Sequence, residues 1–195
     1  MKFIYLPLIS YLILGLPQKL LPQLKYELPV VEENVCPFEG CQFGQWIIRD
    51  SIKVYKIEGD TSSVKFLLSD GDTIKALTGN IHYEKFGKVL VTQPFKNFNV
   101  NDTVTILRCI EGDFIAYFKG QKIYVDIFWP VGFSDSKDEK NYDVKKHYGK
   151  MSENPEIVWW VKMRWNDKEG WLSLRNINPY CFQIKEKIEG MDIFE

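Results

Sequence analysis

The chain reads as an all-β protein, and three observations carry that reading. Short stretches such as Ile52-Lys53-Val54-Tyr55-Lys56-Ile57 alternate apolar and polar residues, the period of a strand with one face buried. Turn formers separate these stretches, as in Glu58-Gly59-Asp60 and Ser69-Asp70-Gly71-Asp72, and no segment holds the three-and-four apolar spacing of a real helix. Aromatic residues make up 15% of the 195 positions, a content suited to sheets and to aromatic-lined binding surfaces. With 25 basic and 26 acidic side chains the formal net charge is −1, which argues against a general nucleic-acid binder with its strongly basic face. At 45% hydrophobic the composition is globular, and the length is enough for one ordinary domain or two small ones.

From the N-terminus, residues 1–22 read as an export signal. Lys2 precedes the uncharged apolar run Phe3–Leu16, which falls short of the roughly 20 residues a membrane-spanning helix needs and is interrupted by Pro7. No stable membrane span is therefore expected, and the chain is read as exported, periplasmic or secreted. No A-x-A cleavage site follows the run, and the alternatives are a buried amphipathic N-terminus or an uncleaved anchor reaching Leu21. Cleavage near residue 22 removes Lys2 and Lys19 and leaves 23 basic against 26 acidic side chains, a net −3.

Residues 23–45 form an N-terminal segment holding Cys36 and Cys41, with Cys109 and Cys181 far along the chain. In an oxidising compartment four cysteines allow three pairings, which spacing alone does not decide. The local Cys36–Cys41 bridge is favoured because Pro37 and Gly40 let the short loop turn back. One loose C-x4-C is not a zinc pattern. Cys109 lies inside an apolar strand pattern and reads as a buried small hydrophobe.

Beyond Trp46 come Ile52–Ile57, Val64–Leu68, Thr73–Leu77 and, after a break, Lys88–Val91 as strands. Asp72-Thr73-Ile74-Lys75-Ala76-Leu77 recurs as Asp102-Thr103-Val104-Thr105-Ile106-Leu107, a D-T-[IV]-x-x-L pattern repeated 30 positions on. With no third copy, two related small β units are expected rather than a solenoid. Phe114–Phe118 and Ile123–Ile127 form a hairpin around Lys119–Lys122, where Gly120 supplies the positive φ of a tight turn. A second hairpin pairs Trp159–Trp165 with Trp171–Leu174. Its first strand divides by parity into a core set (Trp159, Val161, Met163, Trp165) and a wetter set (Trp160, Lys162, Arg164). Ser134–Pro155 is polar and charged and reads as a long inserted loop, and the tail after Tyr180 is expected to fray.

Several of these stretches resemble a known group. Gly170-Trp171-Leu172 is similar to the G-W-[VL] ending of bacterial SH3-like domains, and Lys53-Val54-Tyr55-Lys56 through Asp72–Gly79 resembles their opening strands. The order of Cys36-Pro37-Phe38-Glu39-Gly40-Cys41, Trp46, Ala76-Leu77-Thr78-Gly79, Tyr117-Phe118-Lys119-Gly120 and Trp159-Trp160-Val161-Lys162 is similar to exported bacterial proteins that carry SH3-like domains and have no assigned activity. The resemblance covers roughly residues 35–175. It implies two tandem small SH3-like barrels after the signal segment, at 46–95 and at 96–178 with an insert at 130–156, and a tail at 179–195. It also implies binding in the cell envelope, to a peptide or a peptidoglycan stem, without a catalytic residue.

Such domains take extended ligands in aromatic-lined grooves. The outward-facing aromatics Trp160, Tyr124 and Tyr117 are the candidate ligand-binding residues, set against cross-strand packing as the plain alternative. Trp129-Pro130 reads as a strand end. His82 and His147 sit among polar neighbours in expected turns and read as solvated. The carboxylate pairs Asp70/Asp72, Asp135/Asp138 and Asp138/Glu139 read as turn acids rather than a glycosidase pair or a calcium loop. No catalytic residue, metal site or cofactor is expected. The leading expectation is a non-catalytic exported binding protein. A protein-partner or inhibitor role through the charged loop 134–155 comes second, and an accessory part of a cell-wall hydrolase third.

Overall fold

A computed structural model describes residue 28 and residues 30–94, 96–110, 113–126, 149–178 and 182–191. The expected signal at 1–22, the Trp129-Pro130 strand end, the carboxylates Asp135, Asp138 and Glu139, His147 and Cys181 lie outside the described residues, as does the expected loop up to residue 148. Every regular element among the described residues is a strand.

Two sheets account for them. The larger, eight-stranded sheet takes β1 (Val30–Glu32), β2 (Gly44–Ile48), β3 (Ile52–Tyr55), β4 (Val64–Leu68) and β5 (Thr73–Lys85), together with β11 (Glu156–Trp165), β12 (Lys168–Arg175) and β13 (Ile188–Glu189). Its order is β13-β2-β5-β11-β12-β3-β4, with β1 also paired to β5, and it curls into a half-barrel. The five-stranded sheet takes β6 (Gly87–Val91), β7 (Thr103–Ile110), β8 (Asp113–Phe118), β9 (Gln121–Asp126) and β10 (Gly149–Glu153), in the order β10-β6-β7-β8-β9.

The sheets do not follow the boundary expected between residues 95 and 96. β6 lies before it and pairs with β7 beyond it, while β11 and β12 return from the far side to pair with β5 and β3. β11 explains the return: Ile157 to Val161 are buried consecutively, so both of its faces need cover, and only an interior position supplies that. β5 is also longer than its expected Thr73–Leu77 core. It runs on through Thr78-Gly79-Asn80-Ile81-His82-Tyr83 as one 13-residue strand, because an irregularity at Leu77 moves the inward positions from Ile74 and Ala76 to Gly79, Ile81 and Tyr83, which stay buried.

The concave side of the large sheet holds the main core around Trp159, which is fully buried along with Trp46, Val54, Leu68, Ile81, Val161, Met163 and Leu172. Of the set expected in the core, Trp165 is only half-buried, stacked on Phe66 at 5.6 Å. Trp159 Nε1 donates to the Val35 carbonyl at 2.9 Å, and its ring meets Trp46, Phe43, Phe38 and Phe182. Gly79 lies against this indole, and a Cβ there would collide with it. Cys36 and Cys41 form the favoured disulfide, with Cα atoms 5.8 Å apart, so the loop that carries Phe38 is closed over the ring cluster. Cys109 is a buried thiol outside any disulfide.

The small sheet buries Val89, Val91, Val104, Ile106, Phe114, Ala116 and Val125 on one side. From its other side Leu107 and Ile115 enter the main core. The expected hairpins form around Lys119-Gly120, where both residues have positive φ, and around Asn166-Asp167. Residues 149–153, expected in the inserted loop, pair with β6 as β10. Residues 182–191 do not fray: Ile188 and Glu189 pair with β2, Phe182 stacks on Phe38, and Arg49 holds Glu189 at 2.8 Å.

Candidate binding site

The register of the large sheet places a row of side chains on its outer face. Leu67 stands opposite Lys53, Lys53 and Tyr55 neighbour Ser173 and Trp171 on β12, Ser173 stands opposite Trp160, and Trp160 opposite Asn80. Parity therefore puts Trp160 on the side away from Trp159, as the alternation implies. The expectation that it is wet is nevertheless wrong, since Trp160 is 3% exposed. Tyr55 packs edge-on against its ring at 5.5 Å and His82 lies 6.0 Å from it. The covering groups come from the end of β3 and from β5, which are remote in sequence from Trp160.

His82 is likewise not the solvated turn residue expected. It sits within β5, and its Nε2 is 2.7 Å from Glu58 Oε1, which also accepts from Asn80 Nδ2 at 2.8 Å. Asn80 Oδ1 accepts the Asn34 N–H at 3.0 Å, and Thr78 donates to Asn34 Oδ1 at 2.8 Å. This chain of polar contacts fastens the 56–63 loop and the residues after β1 across the Trp160 face. A side-chain chain of this kind fixes geometry because its part-buried members Glu58, Asn80 and His82 lose hydrogen bonds if one of them moves.

Beside Tyr55 the outer face opens into a cavity of about 220 Å³, lined by Ser51, Ile52, Lys53, Tyr55, Ser173 and Glu186. β3 and β12 supply the floor, and the docked C-terminal segment supplies Glu186. Its Oε2 is withdrawn from solvent without a hydrogen-bond partner. Lys53, in contrast, is exposed and makes no ion pair among the described residues. The cavity thus presents one ammonium, one partly desolvated carboxylate, two hydroxyls and an aromatic wall. That donor and acceptor set suits recognition of a polar ligand.

The other two sequence candidates lie elsewhere. Tyr124 is 66% exposed on edge strand β9, and Tyr117 is half-buried against the main core on the inner side of the small sheet. Tyr117 and Tyr124 share one face of the small sheet, since Ile115 stands opposite Tyr124 and Tyr117 opposite Lys122, but Trp160 belongs to the large sheet. Sequence reading missed the cavity residues: Lys53 and Ser173 look like ordinary outward positions of alternating strands, and Glu186 belongs to a tail without a strong strand pattern. The one usable signal is the alternation of Phe182 and Ile184 ahead of Ile188.

A separate polar cluster joins the sheets. Glu32 on β1 accepts from Tyr83 at 2.8 Å, from Lys122 at 3.1 Å and from Arg108 at 3.4 Å, while Arg108 Nε donates to the Tyr83 hydroxyl at 3.1 Å. Burial works to raise the Glu32 carboxyl, but the hydrogen bonds from Tyr83 and Lys122 and the charges of Arg108 and Lys122 hold it below the ordinary carboxylate value. Burial pushes the Tyr83 phenol far above its usual range. Arg108 is 5% exposed, and its Nη1 has no partner.

Among the described residues no group of three or more potential ligands is placed to hold a metal ion, and no helix is long and apolar enough to cross a membrane. Compared with known protein families, with characterised proteins and with solved structures, the chain matches none.

Proposed function

We propose that this chain is a non-catalytic binding protein of an oxidising compartment outside the cytoplasm, taking a peptide or a peptidoglycan stem on the outer face of its large sheet. The observation that carries the reading is the polar cavity beside Tyr55, where Lys53 and Glu186 stand with their charges uncommitted on a rigid wall. Binding sites of this kind are concave, placed on fixed elements and supplied with a few polar groups that set orientation. The Cys36–Cys41 disulfide and the apolar Phe3–Leu16 run support the compartment, since such bridges persist where thiols are not kept reduced. The resemblance to exported SH3-like proteins supports the ligand class and the barrel reading of the two sheets.

Retention on purified peptidoglycan tests the reading. Wild-type protein is expected to be held above an unrelated exported protein of similar charge. Lys53→Glu is expected to lower the held fraction about tenfold, the scale of a lost charge-assisted contact. Equal retention of all three proteins overturns the proposal.

A further inference from the structure

The Lys53–Glu186 cavity carries a statement about ligand chemistry, which rests on the binding reading above. The two charges are of opposite sign, they line the same cavity of about 220 Å³, and they do not neutralise one another: no ion pair joins them, and Glu186 Oε2 has no hydrogen-bond donor at all. Several charges elsewhere on this molecule are paired, as at Arg49–Glu189, Arg164–Glu169, Arg175–Glu84 and Lys88–Glu153, whereas these two share one cavity and are not. An anion that is half out of water and has no donor is held at a cost, and an entering cation or N–H removes that cost. A purely cationic ligand, however, meets the Lys53 ammonium, and a purely anionic one meets Glu186. A group that carries both charges satisfies both walls, and Ser51 and Ser173 complete the polar lining.

We infer that the cavity receives a zwitterionic amino-acid unit, a residue that presents a free ammonium and a free carboxylate together, with the ammonium on Glu186 and the carboxylate on Lys53. Its size agrees: the cavity is smaller than the roughly 300–1,000 Å³ of sites for drug-sized ligands and suits one small residue. Discrimination follows from the penalty for leaving one wall charge unmatched rather than from contact area.

Titration of isotope-labelled protein with alanine, N-acetylalanine and alanine methyl ester, followed by backbone amide shifts, tests the inference. Alanine is expected to move the amides of residues 51–55, 173 and 186. N-acetylalanine, without the ammonium, and the ester, without the carboxylate, are each expected to bind at least tenfold more weakly. In Glu186→Gln the difference between alanine and N-acetylalanine is expected to vanish. In Lys53→Met the difference between alanine and its ester is expected to vanish. Unchanged amide spectra away from the cavity confirm that both variants fold. Binding of a capped form as tight as that of alanine, or no shift at these residues with any probe, overturns the inference. Retention on peptidoglycan measured in parallel shows whether the wider binding reading falls with it.

Discussion

The joint before β5 and the joint before β7 are made from the same bonds. In the first, Asp72 Oδ2 accepts the Ser69 N–H at 2.8 Å, the Ile48 N–H donates to the Asp72 carbonyl at 2.9 Å and the Gly71 N–H to the Ile48 carbonyl at 2.8 Å. In the second, Asp102 Oδ2 accepts the Asn99 N–H at 2.8 Å, the Val91 N–H donates to the Asp102 carbonyl at 2.9 Å and the Asn101 N–H to the Val91 carbonyl at 2.9 Å. Gly71 and Asn101 both have positive φ, at 88° and 71°. The D-T-[IV]-x-x-L repeat is therefore a repeated joint, one in each sheet. The copies differ in what lies between the joined strands. β6 reaches β7 directly, whereas the β3–β4 hairpin is inserted between β2 and β5. That hairpin supplies Lys53, Tyr55 and Glu58, so part of the proposed binding face comes from the insertion rather than from the shared joint.

The largest expected difference between the copies lies seven residues past each Asp, at Gly79 and Cys109. The Trp159 indole occupies the space a side chain at Gly79 needs, and that indole is tied to Val35 and ringed by four aromatics. Gly79→Ala should therefore cost about 3 kcal/mol, the upper part of the usual range for overpacking a core. Cys109→Ala trims a buried side chain without inserting atoms and should cost about 1 kcal/mol. Urea unfolding of both variants measures the gap, and equal losses would remove the contrast between a strand that must admit a tryptophan and one that need not.

Coupling between the sheets comes next in size. Glu32→Gln keeps the volume but removes the only carboxylate that Arg108 and Lys122 are bonded to among the described residues, and should cost about 2 kcal/mol. Because the folded carboxyl lies below its unfolded value, about 4.3, its contribution is complete above that pH. It is lost as pH falls through the lower folded value. Melting curves from pH 6 down to pH 3 should show an acid-side loss in the wild type that is smaller in Glu32→Gln. Parallel curves would remove Glu32 from the acid response.

How much of this was legible follows from where each signal resides. Strand identity is local, so alternation found the all-β class, the 119–120 turn and the burial of Trp159, Val161 and Met163. Pairing is not local. Nothing in Trp159–Leu174 says that this hairpin inserts between β5 and β3, and that insertion undid the division at residues 95 and 96. Trp160 shows the same limit at one side chain: its face was readable from parity, but its cover comes from Tyr55 and His82, each more than 70 positions away. Glu186 was invisible for a related reason, since a short apolar anchor at Ile188 docks it and two residues do not make a strand pattern.

The smallest effects test whether the two joints are equivalent. Asp72→Ala and Asp102→Ala each leave one turn N–H without its acceptor, and each should cost about 1 kcal/mol, the net worth of one partly exposed hydrogen bond. Asp102 also lies 3.9 Å from Lys119, an exposed pair that adds no more than a few tenths of a kcal/mol. At the left-handed position the chemistry is interchangeable. Asn tolerates positive φ by bonding locally, whereas Ala carries a Cβ with no compensation and should cost about 1 kcal/mol in place of Gly71. Space is not the issue, because nothing lies within 4 Å of a Cβ built at Gly71. Gly71→Asn should therefore unfold within a few tenths of a kcal/mol of the wild type, and Asn101→Gly likewise. If Gly71→Asn instead loses as much as Gly71→Ala, the two joints share a sequence pattern but not a conformational requirement. The repeat would then mark similar strand starts rather than the same device used twice.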